Sequence, residues 1–207
     1  MLPVADRPLL ENTISVLVNH GFRRFFITIC YLGEQIEAHF GDGRRFGCDI
    51  TYLREERPLG TAGALSMLSE MPSDPLLVLN GDLLTDLDFS ALMDFHTEAG
   101  CDVTQCVREY DFEIPYGVVH CENGRVLKLE EKPLQRFLIN AGIYILSPHL
   151  LELIPRDQSF TMPELISQAL CKDYNVTAFP VHERWADIGH PEDYHWARHN
   201  WAVEESG

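Results

Sequence analysis

Two aspartates are the residues of this sequence best placed to do chemistry. Asp82 stands in LNGD, where the apolar run Leu76–Leu79 stops abruptly at Asn80-Gly81-Asp82. Asp187 stands in WADIG, again between an apolar stretch and a glycine-containing turn. Ligands of open α/β sheets bind at the carboxyl ends of strands, so a carboxylate at such an end faces a ligand site. Read singly, each aspartate is a cap or a turn residue. Read as a pair on neighbouring strand ends, they suit Mg²⁺, a hard cation that takes one or two carboxylates together with substrate phosphates. LEEKP places Glu131 and Lys132 at the end of a strand, and INAG places Asn140 early in the next. A carboxylate and an amide can hold sugar hydroxyls, and a lysine can meet a phosphate. In REERPLGTAGAL, residues 54–65, Gly60 and Gly63 let backbone approach a ligand, and the helix that follows would offer free N–H groups. The same glycines also fit an ordinary helix start.

These residues need elements to hold them. Pro8 can open a helix in which Leu9, Leu10, Ile14, Leu17 and Val18 recur at helical spacing, with Gly21 as its stop. RRFFITIC and CDITYL read as strands, separated by a short helix and a glycine-rich loop. A helix is expected from about Thr61 to Glu70, then the strand at Leu76, which reads as a buried member of a parallel sheet. Asp88 is an expected N-cap for the helix that ends near Gly100. The second half changes character. YGVVHCENGRVLKLEEKP reads as a hairpin around Asn123-Gly124. Strands follow at FLINAGIYIL and NVTAFPV, with helices between them and a last helix from Pro191 toward Trp201. The alternation of strand and helix predicts a three-layer α/β fold with a mostly parallel, doubly wound, Rossmann-like sheet and a β-hairpin insertion. His195 and His199, four apart on the last helix, lack an evident third metal ligand and read as a solvated face.

Composition narrows the function. A chain of 207 residues suits one domain. The net charge of −16 argues against a nucleic-acid partner, which needs a basic face. It also means that any phosphate ligand must be met by local cations or a metal. Lysine occurs only at 128, 132 and 172, so Lys132 inside an apparent motif carries weight. No apolar run approaches the ~20 residues of a membrane span. The six cysteines read as reduced thiols, and with no signal segment in view the expectation is a cytoplasmic protein.

The order PLGTAGAL, LLVLNGD, PYGVV, EEKP, NAGIYIL and WADIG resembles the sugar-1-phosphate nucleotidylyltransferases, nearest to the mannose- or glucose-1-phosphate type, including members joined to CBS domains. The resemblance covers essentially the whole chain. It implies a glycosyltransferase-A-like fold and transfer of a nucleotidyl group from an NTP to a sugar 1-phosphate, with Mg²⁺ as cofactor. It implies that Asp82 and Asp187 bind the metal. It sets Glu55, Gly60, Thr61 and Gly81 on the nucleotide side, Gly117, Glu131 and Asn140 around the sugar, and Lys132 at the sugar phosphate. Guanine with mannose or an amino sugar is the pairing it suggests.

The family opens with a strand and a loop of the form GGxGTRLxPLT, which cradles the triphosphate. This sequence begins MLPVADRPLL and has no such loop. The expectation is therefore an N-terminally truncated nucleotidylyltransferase domain over residues 1–207, lacking the first, central strand. It would be marginally stable or self-associating, as a homo-oligomer, and, without the triphosphate loop, of negligible nucleotidylyltransferase activity. The alternative is a non-catalytic sugar-nucleotide-binding or regulatory domain.

Overall fold

The computed structural model describes residues 3–4, 7–189, 194 and 201. The last helix expected from Pro191, and with it His195 and His199, lies outside the described residues. In chain order the elements are β1 (Pro3–Val4), β2 (Arg7–Pro8), α1 (Leu9–Asn19), β3 (Arg24–Ile29), α2 (Gly33–Phe40) and β4 (Asp49–Arg54). Then come α3 (Gly60–Gly63), β5 (Leu76–Leu79), β6 (Leu83–Thr85), α4 (Phe89–Glu98), β7 (Val103–Glu113), β8 (Val118–Glu122) and β9 (Arg125–Glu130). β10 (Leu134–Leu146), α5 (Met162–Cys171), β11 (Val176–Pro180) and β12 (Trp185–Asp187) complete the set. Short 3₁₀ turns cover Arg44–Phe46, Ala64–Met67 and Pro148–Leu153.

The class is α/β, and the sheets are mixed. The largest runs β11-β7-β10-β5. Within it β11 is parallel to β7, but β7 is antiparallel to β10 and β10 to β5. β3 and β4 form a separate parallel pair, and β6 pairs antiparallel with β12. The α/β class is as expected; parallel pairing is found at β11–β7 and β3–β4, while β10 opposes both its neighbours. The cause is the excursion through β8 and β9. It returns the chain by a turn rather than a helical crossover, and a chain returned that way runs antiparallel.

Alternation along β10 divides the interior in two. Tyr144 and Leu146 face a core built on α5 and the Pro148–Leu153 turn, with Leu150, Met162 and Leu165. Ala141, Ile143 and Ile145 face a second core with Leu17 of α1 and Phe89 and Leu92 of α4. β5 does the same: Leu76 and Val78 join the first core, Leu77 and Leu79 the second. This period of two gives the three layers the sequence predicts. Yet all four residues of β5 are only half-buried. Among the described pairings β5 meets β10 alone, and β3 and β4 meet only each other.

One cap and one turn prediction can be checked directly. The Asp88 carboxylate accepts from Ser90 N (2.9 Å) and Ala91 N (3.0 Å), as an N-cap should. Asn123 and Gly124 both take positive φ, 49° and 81°, as a type I′ hairpin turn demands. The helix expected from Thr61 to Glu70 is a four-residue turn followed by a 3₁₀ turn. It has no side-chain cap, and a turn this short lacks the i→i−4 ladder that carries a longer helix.

Candidate active site

β5 ends at Leu79 because Asn80, Gly81 and Asp82 turn the chain into β6. β6 then pairs with β12, with Leu83 opposite Asp187. That register brings two carboxylates from residues over a hundred apart to one place. The measure is Gly189: a Cβ built there would lie 3.0 Å from Asp187 Oδ1 and 3.6 Å from Asp82 Oδ2. Backbone bonds fix the pair, since Ile188 N donates to Asp82 O (2.8 Å) and Gly189 N donates to Asp187 Oδ1 (2.9 Å). Both side chains are half-buried. Burial, and then the negative charge of Asp187, push the Asp82 carboxyl above the usual carboxylate range. Two like charges in one half-buried place are short of a counter-charge, and this donor set fits a hard divalent cation. No group of three or more His, Cys, Asp or Glu side chains that could hold a metal ion occurs among the described residues, so water and substrate oxygens would complete its shell.

Asn140 is linked to the segments bearing the two aspartates through a bulge. β7 and β10 stay in register up to the pair Asn140–Val107 and resume at Tyr144–Gln105, with an irregularity between. Gly142 lies in it with φ +71°, a conformation that glycine adopts at no steric cost. Its peptide groups are taken by three parts of the site. Gly142 O accepts from Asn80 N (3.0 Å), Gly142 N donates to Asn140 Oδ1 (3.0 Å), and Ala141 O accepts from the Trp185 indole N–H (2.9 Å). The turn bearing Asp82, the strand bearing Asp187 and the Asn140 side chain are all hydrogen-bonded to one bulge. Such bulges recur beside active sites, where they re-aim side chains.

Glu131 and Gly117 form a second cluster at the base of the β8–β9 hairpin. A Cβ on Gly117 would sit 3.0 Å from Glu131 Oε2. Lys132 follows at positive φ (46°) and is exposed. Lys128 and Glu130, close by, are already paired with each other.

The nucleotide-side residues are busier than expected. The Glu55 carboxylate accepts from Leu59 N (3.0 Å), and Thr61 Oγ1 accepts from Met162 N (2.8 Å). Ala62 N and Gly63 N both donate to Phe160 O, at 3.0 and 2.9 Å. Two of the N–H groups expected to be free at this helix start, those of Ala62 and Gly63, are therefore committed to the segment that leads into α5. Gly60 has φ +78°, and a Cβ there would meet Phe160 O at 2.8 Å, so backbone crowding fixes that glycine. Gly60, Thr61 and Gly81 remain exposed.

Three residues at the centre had no role in the sequence reading: Asn80, Tyr144 and Trp185. Gly142 was the available signal, because a glycine within a strand pattern marks a bulge or a close backbone approach.

A family model described as "Nucleotidyl transferase" matches residues 1–203. A UTP--glucose-1-phosphate uridylyltransferase of Synechocystis is 33% identical over 94% of this chain and 55% of its own length. A mannose-1-phosphate guanylyltransferase of Mycobacterium tuberculosis is 33% identical over 94% and 56%. The chain thus spans about half the length of the curated relatives it matches. The crystal structure of HddC from Yersinia pseudotuberculosis superposes with a TM-score of 0.75 at 24% identity, covering 98% of this chain and 89% of that one. A putative glucose-1-phosphate thymidylyltransferase from Bacillus anthracis gives 0.74 at 20%, covering 96% and 84%. At those identities the two structures speak for the fold. No helix among the described residues is long and apolar enough to cross a membrane. With the family model matched over residues 1–203, the chain belongs to the nucleotidyl transferase family, and the relatives it resembles are sugar-1-phosphate nucleotidylyltransferases.

Proposed function

We propose that the protein transfers a nucleotidyl group from an NTP to a sugar 1-phosphate and releases pyrophosphate. The observation that carries this reading is the meeting of Asp82 and Asp187 at one exposed glycine, beside a bulge that also holds Asn140. In the reaction an oxygen of the sugar phosphate attacks the α-phosphorus in line. A P–O bond forms to the sugar phosphate as the bond to the β-phosphate oxygen breaks, and pyrophosphate carries away the electron pair. Protein groups form no covalent bond, so the work is positioning and charge stabilisation. Asp82 and Asp187 would hold Mg²⁺, which would supply neutralisation of charge on the α-phosphate. Lys132 meets the attacking phosphate. Asn140, Glu131 and the backbone at Gly117 hold the sugar hydroxyls. Glu55, Gly60, Thr61 and Gly81 line the nucleotide side, with the Glu55 and Thr61 side chains shaping the loop and its exposed backbone facing the ligand.

The test is pyrophosphate release by the purified protein with each of the four common NTPs against glucose 1-phosphate and mannose 1-phosphate. One NTP–sugar pair should turn over, and turnover should require a divalent ion. Absence of release with every pair, alongside measurable sugar-phosphate binding, would refute catalysis by this chain and leave a binding domain.

A further inference from the structure

Asn140 and Tyr144 are four residues apart on β10, yet the Asn140 side-chain amide donates to the Tyr144 hydroxyl. In a regular strand such residues stand about 13 Å apart. Only the bulge at Gly142 brings them together. The two ends of the amide are then fixed separately. Nδ2 donates to Tyr144 Oη, and Oδ1 accepts from Gly142 N. Tyr144 is 2% exposed, with its ring in the core shared with α5, so its hydroxyl is held from below. Asn140 itself is exposed. One N–H of Nδ2 and one lone pair of Oδ1 remain for a ligand, with donor and acceptor in a set order. Without the tyrosine hydroxyl, the amide would keep one anchor and could turn over.

We infer that Tyr144 is a specificity-determining positioning residue, which fixes the donor–acceptor order that Asn140 presents to a sugar's hydroxyl groups. The inference rests on the proposed role of Asn140. An amide in fixed order discriminates sugars whose hydroxyls differ in direction, because the wrong epimer leaves a polar group unpaired. A freely turning amide loses that discrimination. Tyr144 touches no substrate and acts through Asn140.

The test is calorimetric binding of glucose 1-phosphate, mannose 1-phosphate and inorganic phosphate to the full chain and to Tyr144→Phe, Asn140→Ala and the double variant. Tyr144→Phe keeps the buried ring, and a thermal melt checks that the fold survives. The expected result is a Kd for the preferred sugar phosphate raised about three- to ten-fold, the size of one lost hydrogen bond. The preference between epimers should shrink, binding of inorganic phosphate should hold, and Tyr144→Phe should add nothing in the Asn140→Ala background. If Asn140→Ala weakens sugar binding but Tyr144→Phe changes neither Kd nor preference, the positioning role is overturned and the role of Asn140 stands. An equal loss for all three ligands, or a Tyr144→Phe effect that persists without Asn140, overturns it too, as a general structural effect. Should Asn140→Ala leave sugar-phosphate binding intact, or the unaltered protein bind neither sugar, the site assignment falls first and the inference with it.

Discussion

The carboxylate–bulge centre and the β8–β9 arm are held by different physics. At the centre, the backbones of Asn80 and Asp82 are bonded to Gly142 and Ile188 of other segments, the Asp187 and Asn140 side-chain oxygens each accept from an N–H two residues on, and Ala141 and Ile143 are fully buried. The arm is a ladder. β8 and β9 pair only with each other among the described strands. One face of the hairpin carries Val119, Leu127 and Leu129, all at least half exposed, with Leu129 at 70%. The other carries Glu130, paired with Lys128 and hydrogen-bonded to His120. A two-stranded ribbon with no packed face is marginal in isolation. The difference suggests a division of labour: geometry that must not vary sits on the core sheet, and ligand contacts that can adjust sit on the arm.

Five substitutions can break or sharpen this contrast. Asp82→Asn should have the largest effect. Turnover should drop about 10²–10³-fold, the scale of removing one electrostatic contributor to a transition state, with a much smaller change in sugar-phosphate binding. Stability should move the other way. A carboxyl whose folded pKa is raised resists ionisation in the native state. Stability is therefore lost as pH rises from the unfolded value through the raised folded one. In metal-free protein, Asp82→Asn should melt above the parent at neutral pH and show less of that fall, and Mg²⁺ should raise the parent's Tm more than the variant's. Titrating Tm against pH for both proteins checks the sign.

Lys132→Ala comes next. A charge-assisted hydrogen bond to phosphate is worth about 1.5–3 kcal/mol, so sugar 1-phosphate should bind about 10–100-fold more weakly while free sugar is unaffected. Equal losses by calorimetry would count against a phosphate role. Third, Gly142→Ala should cost about 1–3 kcal/mol, because its φ is positive and a Cβ would sit 2.8 Å from Asn80 Nδ2. Gly117→Ala should cost less stability, since the Cβ there meets only the end of the flexible Glu131 side chain. Urea melts of both variants test whether the centre really is the stiffer region. The smallest effect belongs to Leu129→Ser on the arm, within about 0.5 kcal/mol as for other surface changes.

The sequence made some of this legible and hid the rest for definite reasons. Local chemistry was readable: Asp88 caps its helix, Asn123-Gly124 makes the tight turn, Asp82 lies in the turn after β5, and Asp187 ends β12. Each follows from residue type at one position. Strand direction was not readable at Leu76, because an apolar run reports burial and is silent about which way its neighbour runs. The extent of α3 was misread because the chain goes over to a 3₁₀ turn at Ala64–Met67, and its start is anchored by Phe160, a hundred residues away, which no local pattern shows. The bulge escaped for the same reason. Gly142 announces that something unusual happens in β10, but its partners Asn80 and Trp185 come from separate segments, and only the tertiary fold brings them to it.

Cys106 lies on β7 beside the strand position opposite Asn140, fully buried against the Ala141 side of the bulge. Burial pushes its thiol up to about 12, so almost no thiolate exists near neutral pH while the fold is closed. Cys30, Cys121 and Cys171 are exposed. Alkylation of the native protein should therefore separate into a prompt phase at the surface and a slow one gated by opening beneath the site. The slow phase at Cys106 is a built-in clock for how often that floor gives way, and any ligand that tightens the bulge should slow it.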